Sequence, residues 1–529
     1  MKRRLTVLTG ALLTLVVACA AIGAIKVQEP YDLIIHGGRV LDGTGNPWYY
    51  TDLGITGDRI VAVGDLSAAQ AERMIDAGGL YVAPGFIDVH IHAGRGLVTP
   101  DRSPAHPLLA QGNTTVVIGP CGSGPVDIAG QREQLIEDGL GVNVAQFIGH
   151  NSVRRAVMGM EDRAPTEVEL EEMKALIRQG MEDGAFGMSS GPFYVPGSFS
   201  ETEELVELAR VVAEYGGIHE SHIRDESDYT VGLIAAVDEL IQISREAGLT
   251  GVVSHIKALG PRVWGFSGAV VNRIEQARAE GLEIYADQYP YEASSTGLSA
   301  ALLPRWAQAG GSGELQRRFE DPEIRARIRG EIVVNLKRRA GATRIMFSSF
   351  RSDPSIVGKT LQEVAEERGM DPVNTAIELL KQGGPSIISF NMNEADIRTF
   401  MRQPWTMTSS DGSLPQMNVG TPHPRSYGTF PRKIRKYVIE EGVIDLAAAV
   451  RSMTSLSATV FNIPDRGVLR EGAYADVVVF DLDKIRDKST YQQPHQLAEG
   501  MVYVIVNGRM AVDGRQFTGE LAGRMLSRR

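Results

Sequence analysis

Eight short apolar segments alternate with amphipathic helical patterns along most of the chain, and this alternation restricts the fold more than any other feature. Strands separated by helices are typical of βα units, in which neighbouring strands run parallel. The strands are predicted at residues 85–92, 114–121, 143–149, 185–190, 216–222, 251–256, 283–289 and 405–411, and helices at residues 167–182, 201–215 and 231–247. The sequence therefore predicts an α/β fold, a (β/α)8 TIM-like barrel with its active site at the carboxyl ends of the strands.

The barrel is predicted to occupy residues 85–463, with one segment that is too long for a single βα unit. This segment, residues 297–404, contains extra helical patterns and two short strand patterns. We expect it to be an insertion over the last barrel strands that acts as a lid.

Both flanks of the barrel have a different pattern. Residues 31–84 and 464–529 show short alternating apolar runs separated by Gly and Asp-Gly turns, as expected for antiparallel hairpins. Residues 34–43 and 505–514 also resemble each other. We predict that the two chain ends form one small β-sandwich domain.

The composition restricts the partners of the chain. Hydrophobic residues are 43% and charged residues 22%, as in ordinary globular proteins. The net charge is −11, from 54 basic and 65 acidic residues, which disfavours a nucleic-acid-binding protein. We expect a small-molecule substrate; the oligomeric state stays open.

The N-terminus, residues 1–25, is predicted to be an export signal. Lys2, Arg3 and Arg4 precede an uncharged apolar run, as in secretory signals. Three readings stay open: a lipoprotein signal with a lipidated Cys19, cleavage after Ala20, or an uncleaved membrane anchor. All three predict an exported protein, periplasmic or anchored to the membrane only through this segment.

The first barrel strand ends with two histidines, His90 and His92. Residues two apart on a strand face the same side, so both imidazoles are expected to enter the barrel mouth. His219, three residues before His222 on another strand, faces the opposite way and is interpreted as structural.

Further metal-ligand types stand at the ends of other predicted strands: Cys121, His222, His255 and Asp411. Thiolate and imidazole together favour zinc over magnesium or calcium. Six ligands exceed the need of one tetrahedral ion, so either two metals lie about 3.5–4 Å apart, or one site is tight and the other weak.

Longer motifs resemble the N-acyl-D-amino-acid deacylases, or D-aminoacylases, a branch of the amidohydrolase superfamily. The resemblance extends from about residue 31 to residue 524. Besides the ligands, it is carried by residues 83–92 (APGFIDVHIH), 149–154 (GHNSVR), 188–191 (MSSG), 287–291 (DQYPY), 423–432 (HPRSYGTFPR) and 475–480 (ADVVVF).

The resemblance implies a role for each site residue. Cys121, His222 and His255 would hold a tight zinc ion, and His90, His92 and Asp411 a weaker one. Asp411 would also be the catalytic proton acceptor. The substrate carboxylate would be bound by Tyr194, Lys257, Tyr291 and Arg425, which offer charge-assisted and neutral hydrogen bonds.

The resemblance also implies zinc-dependent hydrolysis of N-acyl-D-amino acids to a carboxylate and a free D-amino acid. Two alternatives stay open: hydrolysis of D-amino-acid-containing dipeptides or cyclic amides, and a non-catalytic metal- or solute-binding role. Many other amidohydrolases bridge two metals with a carboxylated lysine, but the only lysine between residues 100 and 254 is Lys174, in a predicted helix. The chain departs from the family after His92, where Arg95 is expected near the metal mouth.

Overall fold

The structure is a computed structural model that describes residues 30–528. The predicted export signal, including Cys19 and Ala20, lies outside the described residues and stays a prediction. Among residues 30–528, the structure has no helix with the length and apolar character needed to cross a bilayer.

A parallel barrel forms the centre of the molecule. Its strands are β1 (Phe86–Ile91), β2 (Asn113–Ile118), β3 (Asn143–Gln146, continued by Ile148–Gly149), β4 (Gly187–Ser190), β5 (Ile218–Ser221), β6 (Gly251–Val253), β7 (Ile284–Gln288) and β8 (Thr406–Thr408). Each strand pairs in parallel with the next, from β1 to β8. Just beyond β8, the Asp411 amide donates to His90 O at 2.9 Å, and the His92 amide donates to Gly412 O at 2.8 Å, which joins β8 to β1. The structure has the predicted (β/α)8 architecture.

Helices cover the outside of the barrel, and their sequences account for their positions. In Glu167–Glu182, Thr166 and Glu169 form a reciprocal capping box, and Met173, Ile177 and Met181 form the buried face. The main outer helices are Ile128–Glu137, His150–Met158, Glu167–Glu182, Thr202–Glu214, Leu233–Ala247, Ser267–Ala279, Glu394–Met401, Arg425–Arg432 and Leu446–Met453. Shorter ones are Gly94–Leu97, His106–Leu109 and Ser455–Val460.

Both ends of the described chain share one sheet of seven strands. Val477–Phe480 pairs antiparallel with Tyr81–Pro84, which brings the two flanks of the barrel together. The strand order is Gln516–Phe517, Arg509–Asp513, Met501–Val506, Val477–Phe480, Tyr81–Pro84, Arg39–Val40 and Tyr49–Tyr50. A second sheet has the order Arg59–Gly64, Asp52–Thr56, Tyr31–His36 and Ala71–Asp76. Apolar side chains from both sheets, including Ile35, Leu53 and Val479, form one shared core.

An insertion between β7 and β8 has its own sheet and core. Ser386–Ser389 pairs antiparallel with Ile345–Ser349 on one side and with Ser294–Gly297 on the other. The helices of the insertion are Leu298–Leu302, Gly311–Glu320, Pro322–Arg338, Leu361–Glu367 and Pro372–Lys381. The sequence predicted two of the three strands; Ser294–Gly297 consists of Ser, Thr and Gly and lacks the apolar pattern of a strand.

Lys433 is a buried lysine behind β8. It begins a segment of π-helix, Lys433–Glu440, that continues Arg425–Arg432, and only 2% of the residue is exposed. Its Nζ donates to Thr408 Oγ1 at 2.8 Å and to Ser452 Oγ at 2.9 Å. Burial lowers the pKa of Lys433 to about 7.

Replacing this lysine should stabilise the protein in a pH-dependent way. Between about pH 7 and pH 10, unfolded Lys433 binds a proton that the folded lysine does not, so its cost grows as the pH falls and is complete below pH 7. Lys433→Met should raise the melting temperature at pH 7 by at least about 2 °C. Thr408 and Ser452 keep each other as partners at 2.9 Å.

Melting curves of both proteins at pH 7 and pH 9.5 test this effect. The difference in melting temperature should shrink at the higher pH. A variant that is equally destabilised at both values would contradict the account.

Candidate metal centre and substrate cavity

His90 and His92 meet the carboxylate of Asp411 where β1 and β8 end. Asp411 Oδ1 lies 3.6 Å from His90 Nε2 and 3.4 Å from His92 Nε2. His90 lies within β1 and is fully buried, whereas His92 follows the strand and is partly exposed. The two predicted imidazoles at the end of β1 therefore lie close to one carboxylate at the end of the neighbouring strand β8.

The thiol of Cys121 lies among three imidazoles. Its Sγ is 3.4 Å from His90 Nε2, 3.6 Å from His222 Nδ1 and 3.6 Å from His255 Nε2. Cys121 is buried, and it is the one free cysteine of the described residues. The loop after β2 thus directs the sulfur towards the imidazoles, as the sequence predicted.

Three of these residues have a backbone conformation that side chains other than glycine rarely adopt. The φ angles are +55° for Cys121, +35° for His255 and +45° for Asp411. Positive φ at such residues costs about 1–3 kcal/mol and is concentrated at functional sites. The hydrogen bond from the Asp411 amide to His90 O and the bond from the His255 amide to Asp287 Oδ1 hold two of these turns in place.

The ligand atoms form overlapping groups that are small enough to hold metal ions. Within each of the four groups, the atoms lie no more than 4.8 Å apart; the groups are His90, Cys121 and His255; His90, His92 and Asp411; His222, Glu226 and His255; and His90, Glu220 and Asp287. All six sequence-predicted ligands are in these groups or in direct contact with them. Soft sulfur with imidazole nitrogen is a donor set suited to zinc.

The protonation states of His222, His255 and Asp411 suit metal binding. Burial lowers the pKa values of His222 and His255 well below the usual range, which keeps their rings neutral. Burial also acts to raise the pKa of Asp411, but the Arg425 guanidinium at 2.8 Å and the neighbouring imidazoles outweigh it and hold that pKa well below its usual range. Asp411 is therefore an ionised carboxylate at neutral pH.

Glu226 and Glu220 are site residues that sequence reasoning missed. Glu226 Oε1 lies 3.1 Å from His255 Nδ1 and contacts Lys257 Nζ. Glu220 Oε1 lies 2.6 Å from His90 Nδ1, so it orients this ring from beneath. Both belong to the polar run from Glu220 to Glu226 at the end of β5, and this density of acids was the available signal.

Two further histidines lie away from the metal ligands. His219 Nε2 lies 2.8 Å from Ser190 Oγ, and burial, with a smaller effect of His150, lowers the pKa of His219 to about 3. This agrees with the structural role that strand alternation predicted. His150 Nε2 lies 2.7 Å from Glu204 Oε1.

A cavity of about 490 Å³ opens beside the ligands. Of the four predicted carboxylate contacts, Tyr194, Lys257 and Arg425 line it, and Tyr291 does not. Tyr291 lies instead under the Arg432 guanidinium, 4.7 Å from its ring centroid. The prediction for Tyr291 was wrong, because the chain turns at Pro290 after β7 and takes that ring away from the barrel mouth.

Tyr289 occupies the place that was predicted for Tyr291. Its ring lines the cavity, with the Arg425 guanidinium 4.7 Å and the Lys257 Nζ 5.6 Å from its centroid. Its buried hydroxyl has no hydrogen-bond partner among the described residues. Tyr289 is therefore a donor available to a ligand. Arg95, in contrast, lies on the exposed side of Gly94–Leu97 and does not line the cavity.

Comparison with known proteins shows one family along most of the chain. Residues 73–512 match the model of the family described as "Amidohydrolase family". An N-acyl-D-glutamate deacylase of Alcaligenes xylosoxydans xylosoxydans is 38% identical over 91% of this chain and 94% of its own length.

Solved structures give the same result. A D-aminoacylase structure superposes on this chain with a TM-score of 0.81 at 34% identity, and the match covers 94% of this chain and all of that one. That structure is described as having a binuclear metal centre, with one-metal activation and second-metal attenuation. An N-acyl-D-glutamate deacylase of Bordetella bronchiseptica, complexed with zinc and a phosphonate inhibitor, has a TM-score of 0.80 at 35% identity, with coverage of 94% and 100%.

Two matched substitutions test whether Tyr289, and not Tyr291, contacts the substrate carboxylate. Tyr289→Phe should lower kcat/KM for an N-acyl-D-amino acid by about 10-fold or more, because a hydrogen bond to a charged group is worth about 1.5–3 kcal/mol. Tyr291→Phe, which removes a hydroxyl outside the cavity, should change it by less than about 3-fold. Equal losses in the two variants would contradict this placement.

Proposed function

The chain belongs to the amidohydrolase family, and on that premise we propose that it is a zinc-dependent hydrolase of the amide bond in N-acyl-D-amino acids. The products are a carboxylate and a free D-amino acid. The observation that carries the proposal is the convergence of one thiol, four imidazoles and one carboxylate beside a cavity with cationic side chains. The D-aminoacylase and the N-acyl-D-glutamate deacylases above support it.

Six residues would hold zinc. We propose that Cys121, His222 and His255 hold the tight ion, and that a weaker site uses His90, His92 and Asp411. When bound, zinc lowers the pKa of water in its coordination sphere and polarises a carbonyl group. Glu220 and Asp287 support these ligands from beneath through His90 Nδ1 and the His255 amide.

Asp411 has the geometry of a proton carrier. Its carboxylate lies between the two imidazoles of the first strand and the Arg425 guanidinium, so it is ionised and held in place. We propose that Asp411 accepts a proton from the attacking water and then donates it to the nitrogen of the leaving amine. The left-handed backbone at Asp411 aims this carboxylate into the cavity.

The substrate carboxylate needs an anchor that fixes the amide relative to the ligands. Lys257 and Arg425 provide charge, and Tyr194 and Tyr289 provide hydroxyl donors on the same cavity wall. Binding the carboxylate at a fixed point determines which enantiomer presents its amide bond to the attacking water. We propose that this anchor selects the D-enantiomer.

The cyclic-amide alternative lacks the residue that such sites often use. Lys174, the one lysine in residues 100–254, lies on the outer helix Glu167–Glu182 and is paired with Glu171 and Glu207. Lys174 therefore cannot bridge two metal ions at the barrel mouth as a carboxylated lysine. D-dipeptides and a non-catalytic role are distinguished by the following experiment.

A substrate panel combined with one variant tests the function. The zinc-loaded protein should hydrolyse N-acyl-D-amino acids and should leave their L-enantiomers, D-dipeptides and hydantoins largely intact. Asp411→Ala should retain the fold and one zinc per chain but lose about 10³-fold or more in kcat, since both proton transfers depend on this carboxylate.

His150→Gln, at a histidine outside the ligand groups, is the control for general damage. Near-normal turnover by Asp411→Ala would contradict the role of this residue. Hydrolysis of dipeptides or hydantoins alone would replace the proposed function by the corresponding alternative, and no turnover of any substrate would leave the non-catalytic role.

A further inference from the structure

One wall of the cavity comes from the insertion and differs from the metal side. It is rich in hydroxyl groups and contains one arginine; its members are Ser294, Thr296, Arg339, Ser348, Ser349 and Ser386. These residues belong to the three strands of the insertion sheet or, for Arg339, follow the helix Pro322–Arg338 directly. Hydroxyl groups and a guanidinium form a polar lining, which suits a polar group of the substrate better than an alkyl group.

Arg339 is buried but has no acidic partner. Only 1% of the residue is exposed, and among residues 30–528 no carboxylate oxygen lies within 4.0 Å of its guanidinium. Its Nε donates to Tyr229 Oη at 2.8 Å, and its Nη1 lies 3.4 Å from Ser294 Oγ. With the Asn391 amide oriented to suit its neighbours, Nη1 also donates to that side-chain oxygen at 3.1 Å. All these partners are neutral, so the charge of Arg339 is not compensated.

A second arginine, Arg305, is partly buried and adds to the positive charge behind this wall. Its guanidinium lies 4.2 Å from the ring centroid of Phe193, and its Nη2 is buried without a hydrogen-bond partner among the described residues. No carboxylate in the described chain forms an ion pair with Arg305 either. Asp225, an acid of this region, already accepts the backbone amides of Ser227, Thr230 and Gly232.

The other cations of the cavity are compensated. Lys257 Nζ contacts Glu226, and Arg425 Nη1 lies 2.8 Å from Asp411 Oδ2. Of the three cationic side chains that line the cavity in the described structure, Arg339 is thus the one without an acid. Burying an unpaired charge is costly, and an anion bound beside Arg339 would compensate its charge.

We propose that Arg339 forms a second anion subsite, which binds a second carboxylate of the substrate, so that the enzyme acts on N-acyl-D-amino acids with two carboxylates. This inference rests on the proposed function for the reaction itself. The second carboxylate is located either on the amino-acid side chain or on the acyl group; both have the same chemistry. A guanidinium binds a carboxylate through two parallel hydrogen bonds, and the surrounding serine and threonine hydroxyls supply further donors.

Two pairs of substrates distinguish the two sources of the carboxylate. N-acetyl-D-glutamate is compared with N-acetyl-D-glutamine, which has the same shape but no side-chain charge. N-succinyl-D-leucine is compared with N-acetyl-D-leucine, which lacks the acyl carboxylate. The zinc-loaded protein should favour the doubly charged member of one pair by about 10-fold or more in kcat/KM.

Arg339→Met should abolish this preference. The expected result is a loss of about 10–100-fold for the preferred doubly charged substrate and less than about 3-fold for its neutral counterpart. Arg339→Lys should keep part of the preference, since lysine has the charge but not the planar pair of donors. Arg329→Met, on the helix that precedes Arg339 but paired with Asp371 at 3.6 Å, is the control and should change neither ratio.

The outcomes separate this inference from the proposed function. Turnover of N-acetyl-D-leucine supports the function, whatever the result for the charged substrates. Equal rates within both pairs in the unmodified protein would overturn the second subsite, and this readout needs no variant to fold. Equal losses for charged and neutral substrates in Arg339→Met would also overturn it, because they would show a structural role. If no N-acyl-D-amino acid is hydrolysed, the proposed function fails first.

Discussion

The contact of one sulfur with three imidazoles is the interaction on which the site depends. Cys121 Sγ lies within 3.6 Å of ring nitrogens from His90, His222 and His255, which come from three different strands. This arrangement requires a barrel, because only the curved sheet brings the ends of β1 and β2 opposite those of β5 and β6. It also requires left-handed backbone at Cys121. The cost of that conformation is offset by the packed barrel around it, and the result is a rigid set of donors for a soft metal ion.

Charge compensation determines what the rest of the cavity can do. On the metal side, Lys257 is paired with Glu226, and Arg425 is paired with Asp411, which keeps the Asp411 carboxylate ionised. The substrate carboxylate therefore binds beside cations whose charges are already compensated by acids. The insertion side has the buried Arg339 with neutral partners only. The cavity therefore has two different polar ends, one for the reaction and one for recognition. The first end is built from the ends of the barrel strands, and the second from the insertion between β7 and β8.

Much of the barrel and of the ligand set could be predicted from the sequence. Strand alternation places His90 at the barrel mouth and His219 away from it, and both positions agree with the structure. The carboxylate contact at Tyr291 was implied by the resemblance alone and was wrong. The strand β7 ends at Gln288, and after it Tyr289, not Tyr291, lines the cavity. The third insertion strand was missed because Ser294–Gly297 has no apolar side chain.

The second polar end of the cavity could not be found from the sequence at all. Arg339 follows a helix whose own pattern is that of a solvated surface, and nothing near it in the chain indicates a ligand. Its neighbours in space, Tyr229 and Ser294, are 110 and 45 residues away. Only the packing of the insertion against the barrel shows that this charge is buried and faces the cavity.

X-ray absorption at the zinc edge of the purified protein tests the metal centre most directly. The account predicts one sulfur neighbour at about 2.3 Å together with nitrogen or oxygen neighbours at about 2.0–2.1 Å, and no sulfur neighbour after Cys121→Ala. A zinc spectrum with nitrogen and oxygen neighbours alone in the unmodified protein would show that the thiol is not a ligand, and it would contradict the account.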